Sequence, residues 1–175
     1  MSQVKLLFQK YSSPQCILCG EQGILTREHK FKHAVLKNSF GDEKLRLGSK
    51  ESFFEGKSKS IQSTSAKSLK FNTQICLPCN SSRTQPGDRQ FDKLIEFLID
   101  AEKEGLSPNS VFETKDFQVG SEGRINLLRY FAKLLCNFLS DANYPVPLRL
   151  SEFAICRSDD NCLKIGVEKM LIMHN

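Results

Sequence analysis

The sequence predicts an α+β fold clamped by a metal, and three observations predict it. Two CxxC pairs, Cys16-Ile17-Leu18-Cys19 and Cys76-Leu77-Pro78-Cys79, stand 56 residues apart. Short segments of strand character lie beside and between them. Two stretches of helical periodicity then fill much of the second half. With 175 residues, 39% hydrophobic and 26% charged, the chain has an ordinary globular composition. It is long enough for one domain, or for a small module with an appended helical region. The expected division is a cysteine-clamped core over residues 1–104 and a C-terminal extension over 105–175. That extension is expected to be scaffold, or a surface for a protein partner or a second copy.

No run approaches the roughly 18 apolar residues that a membrane span requires. The first residues, MSQVKLLFQKYSSPQC, lack the long apolar region of a signal peptide. Both point to a cytoplasmic (intracellular) protein with no membrane partner, whose thiols stay reduced. Seven cysteines, an odd number, then read as metal ligands and free thiols rather than a disulfide framework.

Taken in order, residues 1–15 form a short amphipathic lead-in ending at Ser12-Ser13-Pro14. Cys16 to Gly20 has the make-up of a zinc-knuckle turn. Gly23 to Thr26 predicts a short strand with Arg27-Glu28-His29 at its end. Residues 30–40 predict a short helix or an extended connection, with Phe31, Val35 and Leu36 as buried contacts. Residues 41–70 are polar and rich in Gly, Ser and Lys, with Phe53-Phe54 and Leu69-Lys70-Phe71 as their apolar punctuation. They read as a loop with one or two strands that return to the second CxxC. Lys57, Lys59, Lys67 and Lys70 occur there with no acidic residue between them.

Beyond the second CxxC, Phe91, Leu94, Ile95 and Leu98 recur at i, i+3, i+4 and i+7, the mark of an amphipathic helix. Asp88 is its expected N-cap and Gly105 its stop. Residues 106–122 read as loop. From Ile125, the series Leu128, Phe131, Leu135, Phe138 and Leu139 predicts a second, more apolar helix, closed off by Pro145 and Pro147. Residues 153–156 and 162–167 flank the turn-forming Ser158-Asp159-Asp160-Asn161, which predicts a terminal β-hairpin.

Each CxxC can hold one edge of a tetrahedral zinc, with Zn–S of about 2.3 Å. Four thiolates close the sphere and leave no position for water, so such a zinc is structural. Two unrelated buried pairs are the alternative, and the matching spacing argues against it. Cys136, Cys156 and Cys162 lack this spacing and read as core or surface thiols, with a Cys156–Cys162 bridge across the hairpin left open.

The segment between the pairs contains Glu28-His29, and Asn80 follows the second pair at once. An acid, an imidazole and an amide brought together can build a phosphodiesterase site. Glu28 and Asn80 offer oxygen ligands to Mg²⁺ or Mn²⁺. His29, with an ordinary pKa near ~6.5, is largely neutral at cytosolic pH and can take a proton from water. The cation stabilises charge on the scissile phosphate.

Three segments carry a family resemblance: Cys16-Ile17-Leu18-Cys19, Leu25-Thr26-Arg27-Glu28-His29, and Ile75-Cys76-Leu77-Pro78-Cys79-Asn80-Ser81-Ser82-Arg83. Over roughly residues 14–98 they resemble the HNH endonuclease superfamily, of ββα-metal fold. The variant looks like the four-cysteine branch that contains phage junction resolvases and many small bacterial and phage HNH nucleases. The resemblance implies that Cys16, Cys19, Cys76 and Cys79 bind structural zinc. It implies His29 as general base, Glu28 and Asn80 as ligands of the catalytic cation, and DNA as substrate, with 5′-phosphate and 3′-hydroxyl products. Glu28 stands where the family commonly has Asp, and Asn72 is the candidate for its middle asparagine.

Charge fits a phosphate-bearing partner. Residues 1–93 carry sixteen Lys and Arg against eight Asp and Glu, whereas residues 94–175 carry nine against twelve. Arg83, Arg89, Lys57, Lys59, Lys67 and Lys70 are the candidate DNA contacts. Each assignment has a structural rival. Asn80 can cap the following helix, Glu28 can pair with Arg27 or Lys30, and Arg89 can lie on an exposed helix face. His33 can be structural or meet phosphate. The rival function is a non-catalytic zinc module that binds nucleic acid and recruits a partner, which has no need of Glu28-His29 with Asn80.

Overall fold

The computed structural model describes residues 7–9, 14–41, 44–47, 56 and 59–167. Lys57 and Phe53-Phe54 lie outside them. The fold is α+β, with three small antiparallel sheets and a helical C-terminal region.

Strand β1 (Phe8–Gln9) pairs with β6 (Val146–Pro147), so segments near opposite ends of the described chain lie side by side. Strand β2 (Leu25–Thr26) pairs with β5 (Ile75–Cys76), Leu25 opposite Cys76 and Thr26 opposite Ile75. The ladder resumes beyond a short gap. His29 bridges Lys70, the Phe71 N–H donates to the Glu28 carbonyl at 2.9 Å, and the Lys30 N–H donates to Leu69 at 2.8 Å. The segment bearing Glu28-His29 is therefore fixed against the segment that runs into the second CxxC.

Between these two segments the chain makes helix α1 (His33–Phe40) and a β3–β4 hairpin (Leu45–Leu47 with Lys59–Ile61). A 3₁₀ turn over Lys67–Leu69 follows. Phe31, expected to be buried, is 51% exposed. The helix begins only at His33, so Phe31 falls outside its apolar stripe.

After β5 come a one-turn helix α2 (Leu77–Asn80) and the long α3 (Gln85–Lys103). Asp88 does not cap α3. Pro86 fits the first helical turn, where no backbone N–H is needed, so the helix starts ahead of Asp88, with Thr84 at the N-cap position. Helix α4 (Glu122–Asp141) starts at Ser121, whose Oγ accepts from the Arg124 N–H at 3.1 Å, a favourable side-chain N-cap. Helices α3 and α4 approach closely at Gly87. A Cβ there would sit 3.0 Å from the Asn126 carbonyl oxygen and 3.1 Å from the Tyr130 nitrogen. One turn on, Phe91 stacks on Tyr130 with ring centroids 4.1 Å apart.

The predicted terminal hairpin is absent among the described residues. Leu148–Ala154 form helix α5, burying Leu150, Phe153 and Ala154 at i, i+3 and i+4. That spacing satisfies a helix face and not a strand. The turn at 158–161 is instead pinned to the helices, Asp159 by Arg129 at 2.5 Å and Asp160 by Arg149. Cys156 and Cys162 are both exposed and unbridged.

One apolar cluster joins the cysteine pairs to the helices. Cys16 to Cys19, Ile75, Cys76 and Cys79 pack with Leu128, Ala132, Cys136, Leu150 and Phe153. A second cluster gathers Leu94, Val111, Phe117 and Leu127. Burying one such side chain contributes roughly 1.5–3 kcal/mol, so the cysteine knuckles and the C-terminal helices support each other. No helix among the described residues is long and apolar enough to cross a membrane.

Candidate metal centre and the His29 face

The first knuckle is a tight turn, with the Gly20 N–H donating to the Cys16 carbonyl at 2.8 Å and the Cys16 N–H to Glu21 at 3.0 Å. The second begins at the end of β5, and the turn of α2 brings Cys79 back beside Cys76. All four sulfurs lie within 4.8 Å of one another, and every one of these cysteines is buried. Cys19 Sγ and Cys76 Sγ are 3.6 Å apart. Tetrahedral zinc with bonds of about 2.3 Å holds its sulfurs about 3.8 Å apart, so the set fits that ion.

Three of these thiols also perturb one another. A hydrogen bond from Cys79 holds Cys16 down to about 4, while burial pushes Cys19 up to about 11. The hydrogen bond to Cys16 likewise drives Cys79 upward. The shifts of Cys16, Cys19 and Cys79 oppose one another, a conflict that a bound dication would relieve. Arg83 supports the cluster from outside. Its Nη1 donates to Cys79 Sγ at 3.4 Å, and its Nη2 pairs with Glu21 at 3.2 Å, a carboxylate that Arg157 also reaches at 2.7 Å. The Arg83 guanidinium is thus engaged at the knuckle.

The second group of predicted site residues is arranged differently. His29 lies between Lys70 and His33, its ring centroid 5.4 Å from that of His33. Its Nε2 is buried and has no hydrogen-bond partner. Burial lowers its pKa, helped by the charges of Lys70 and His33, which favours the neutral ring. The His33 Nε2 meets Thr64 Oγ1 at 3.2 Å.

Glu28 points inward. Its Oε2 lies 3.6 Å from Lys133 Nζ, and the same ammonium donates to Asp88 Oδ1 at 2.8 Å. Lys133, only 1% exposed, comes from the middle of α4. Burial raises the Glu28 pKa, and the attraction of Lys133 does not fully offset it. The surface rivals foreseen for Glu28 are not its partners: Lys30 pairs with Asp141 at 3.6 Å.

Asn80 ends α2. Its Nδ2 donates to Thr26 Oγ1 at 2.9 Å, and that hydroxyl donates to the Ile75 carbonyl at 3.1 Å. The amide therefore ties α2 to the β2–β5 ladder and leaves the start of α3 uncapped by a side chain. Asn72 is exposed, and its backbone N–H donates to Asp141 Oδ1 at 2.7 Å. Lys67 and Arg89 are exposed, Lys70 is half-buried, and Lys59 lies on β4. Among the described residues no carboxylate pairs with Lys67, Lys70 or Arg89.

Of the His, Cys, Asp and Glu side chains described, the four cysteines form the one set of three or more that converges as a metal requires. Sequence reasoning missed Lys133. Its signal was a lysine and an asparagine, Lys133 and Asn137, one helical turn apart inside an otherwise apolar pattern. Comparison with protein-family models, with curated proteins and with solved structures returns no match.

Proposed function

We propose that this chain is a zinc-stapled nucleic-acid-binding module. Zinc at Cys16, Cys19, Cys76 and Cys79 holds the β2–β5 ladder and the start of α3 in register. Lys67, Lys70 and Arg89 then meet phosphate on the basic half of the chain, with residues 105–175 as scaffold or partner surface. The observation that carries this reading is the joining of a closed four-sulfur cluster to lysines that, among the described residues, no carboxylate neutralises. DNA is the expected nucleic acid. Binding followed by fluorescence anisotropy should weaken steeply with salt, because each neutralised phosphate releases counterions. Lys67→Ala with Lys70→Ala should reduce the slope of log K against log salt by about two. Binding that ignores salt, or no binding at all, removes this reading.

One observation favours a second reading, hydrolysis of the bound DNA in the HNH manner. The His29 Nε2 is buried and unused by any neighbour, in a ring whose surroundings favour the neutral form. A free imidazole nitrogen held at a strand end is what a general base requires. In this reading Glu28 and Asn80 supply oxygen ligands to Mg²⁺ or Mn²⁺, which stabilises charge on the scissile phosphate. Glu28 would first have to leave Lys133. Incubation with plasmid, single-stranded and junction DNA, with and without either cation, tests it. His29→Ala should cut cleavage at least ~100-fold while zinc content, folding and DNA binding persist. Absence of cleavage on all three substrates leaves the binding module standing alone.

A further inference from the structure

Away from both sites, the start of α4 faces α3 across a cavity of about 480 Å³. Gln90 and Lys93 of α3, Lys115 of the connecting segment, and Glu122, Gly123 and Asn126 of α4 are among its lining residues. Gln90 is only 7% exposed, and its Nε2 has no hydrogen-bond partner. A buried amide nitrogen without an acceptor costs folding free energy, so such groups are rare unless something else supplies the acceptor.

The cavity is built around that nitrogen. A Cβ on Gly123 would lie 2.2 Å from the Asp116 carbonyl oxygen and 2.8 Å from Gln90 Nε2. Only glycine lets the Asp116 backbone and the Gln90 amide close over the first turn of α4. Ser121 Oγ satisfies the Arg124 N–H, and the Ser121 carbonyl satisfies Ile125. The N–H groups of Glu122 and Gly123 have no acceptor within the helix. They stand at the positive end of a 20-residue helix. On the rim Lys93 pairs with Asp116 at 2.9 Å, while the exposed Glu122 and Lys115 both line the cavity and Lys115 has no ion-pair partner among the described residues. The buried Gln90 amide presents its unpartnered donor beside the first turn of α4.

We propose that this cavity is an oxyanion site that takes a phosphate group. Gln90 Nε2 and the first backbone N–H groups of α4 donate to its oxygens, and Lys115 supplies charge from the rim. The phosphate can be free or carried on the end of a nucleic acid, because the recognised chemistry is the same. The site is independent of the DNA contacts assigned to Lys67, Lys70 and Arg89.

Inorganic phosphate titrated into the ¹⁵N-labelled, zinc-loaded full chain at constant ionic strength tests this. The Gln90 side-chain amide and the Glu122 and Gly123 backbone amides should shift together and saturate. Gln90→Met should preserve the remaining spectrum and weaken phosphate binding at least about tenfold, the scale of one hydrogen bond to a charged group. Lys115→Gln should weaken it less. A 5′-phosphorylated oligonucleotide that shifts the same amides identifies nucleic acid as a source; shifts with inorganic phosphate alone identify a free anion. No saturable shift, equal shifts with chloride, or unchanged binding in Gln90→Met overturns the proposal.

Discussion

The four cysteines and the Glu28-His29-Asn80 group lie at or beside the same ladder, yet they are built on opposite terms. Every sulfur of the cluster turns toward the others, and among the described residues only Arg83, donating to Cys79, draws on one of them from a charged side chain. In the second group each side chain is spoken for separately or not at all. Glu28 goes to Lys133, Asn80 goes to Thr26, and His29 Nε2 goes to nothing. Ligand-type residues close together in sequence do not make a metal site. A site needs donors whose nearest alternative partner is the metal itself. The thiols meet that requirement. Glu28 does not while a buried ammonium holds it.

The largest expected effect follows from the thiols. Structural zinc binding contributes on the order of 10–16 kcal/mol in small zinc domains, more than most whole folds can lose. Cys79→Ser should therefore abolish cooperative unfolding at 25 °C, and the purified wild type should carry one zinc per chain by elemental analysis. Strong chelation should unfold the wild type. Mild chelation that removes magnesium alone should leave the fold intact, since thiolates and oxygen ligands select different metals. An intact fold without zinc would erase the contrast between the two groups.

Next in size is Lys133→Met. Removing the cation leaves the part-buried carboxylates of Glu28 and Asp88 without compensation, a loss that approaches but stays below the roughly 3–5 kcal/mol of a fully buried broken pair. Urea unfolding at pH 7 with zinc held constant measures it. The pH dependence has a definite sign. Burial raises the Glu28 pKa above its usual 4.5, so the folded chain keeps a proton that the unfolded chain has lost. The stability linked to Glu28 is complete below about 4.5 and falls as pH rises through the folded value. Without Lys133 that value climbs further, so the variant should be closest to wild type at low pH. Glu28→Gln should recover much of the loss in the Lys133→Met background. A neutral Lys133→Met would mean that water reaches both carboxylates.

What the sequence made legible follows the range of the forces involved. CxxC spacing is local geometry, so both knuckles could be read directly. The α3 and α4 helices were equally readable from Phe91-Leu94-Ile95-Leu98 and Leu128-Phe131-Leu135, because an apolar stripe repeats within a few residues. The hairpin expected after residue 152 failed where two local patterns competed. Leu150, Phe153 and Ala154 carry helical spacing, while the apolar run at 153–156 imitates a strand. The Lys133–Glu28 contact was illegible in a stronger sense. It joins α4 to the end of the β2 segment, and only the tertiary fold creates it.

Asn80→Ala is the smallest of these changes and the one that separates the roles of the second group. The side chain makes one hydrogen bond, to Thr26 Oγ1, in a half-buried position. Losing such a bond costs about 0.5–1.5 kcal/mol. Thr26 keeps its own bond to the Ile75 carbonyl, so the strand pairing should survive. Zinc should stay bound, because the Cys76 and Cys79 sulfurs are held by the knuckle turn rather than by this amide. A small drop in unfolding free energy with unchanged DNA affinity marks Asn80 as a tether within the binding module. Loss of cleavage far beyond what that drop explains, in a variant that is folded and zinc-loaded, assigns its oxygen to the catalytic cation. Wild-type cleavage must be measured alongside, since a protein that never cuts DNA leaves only the tether.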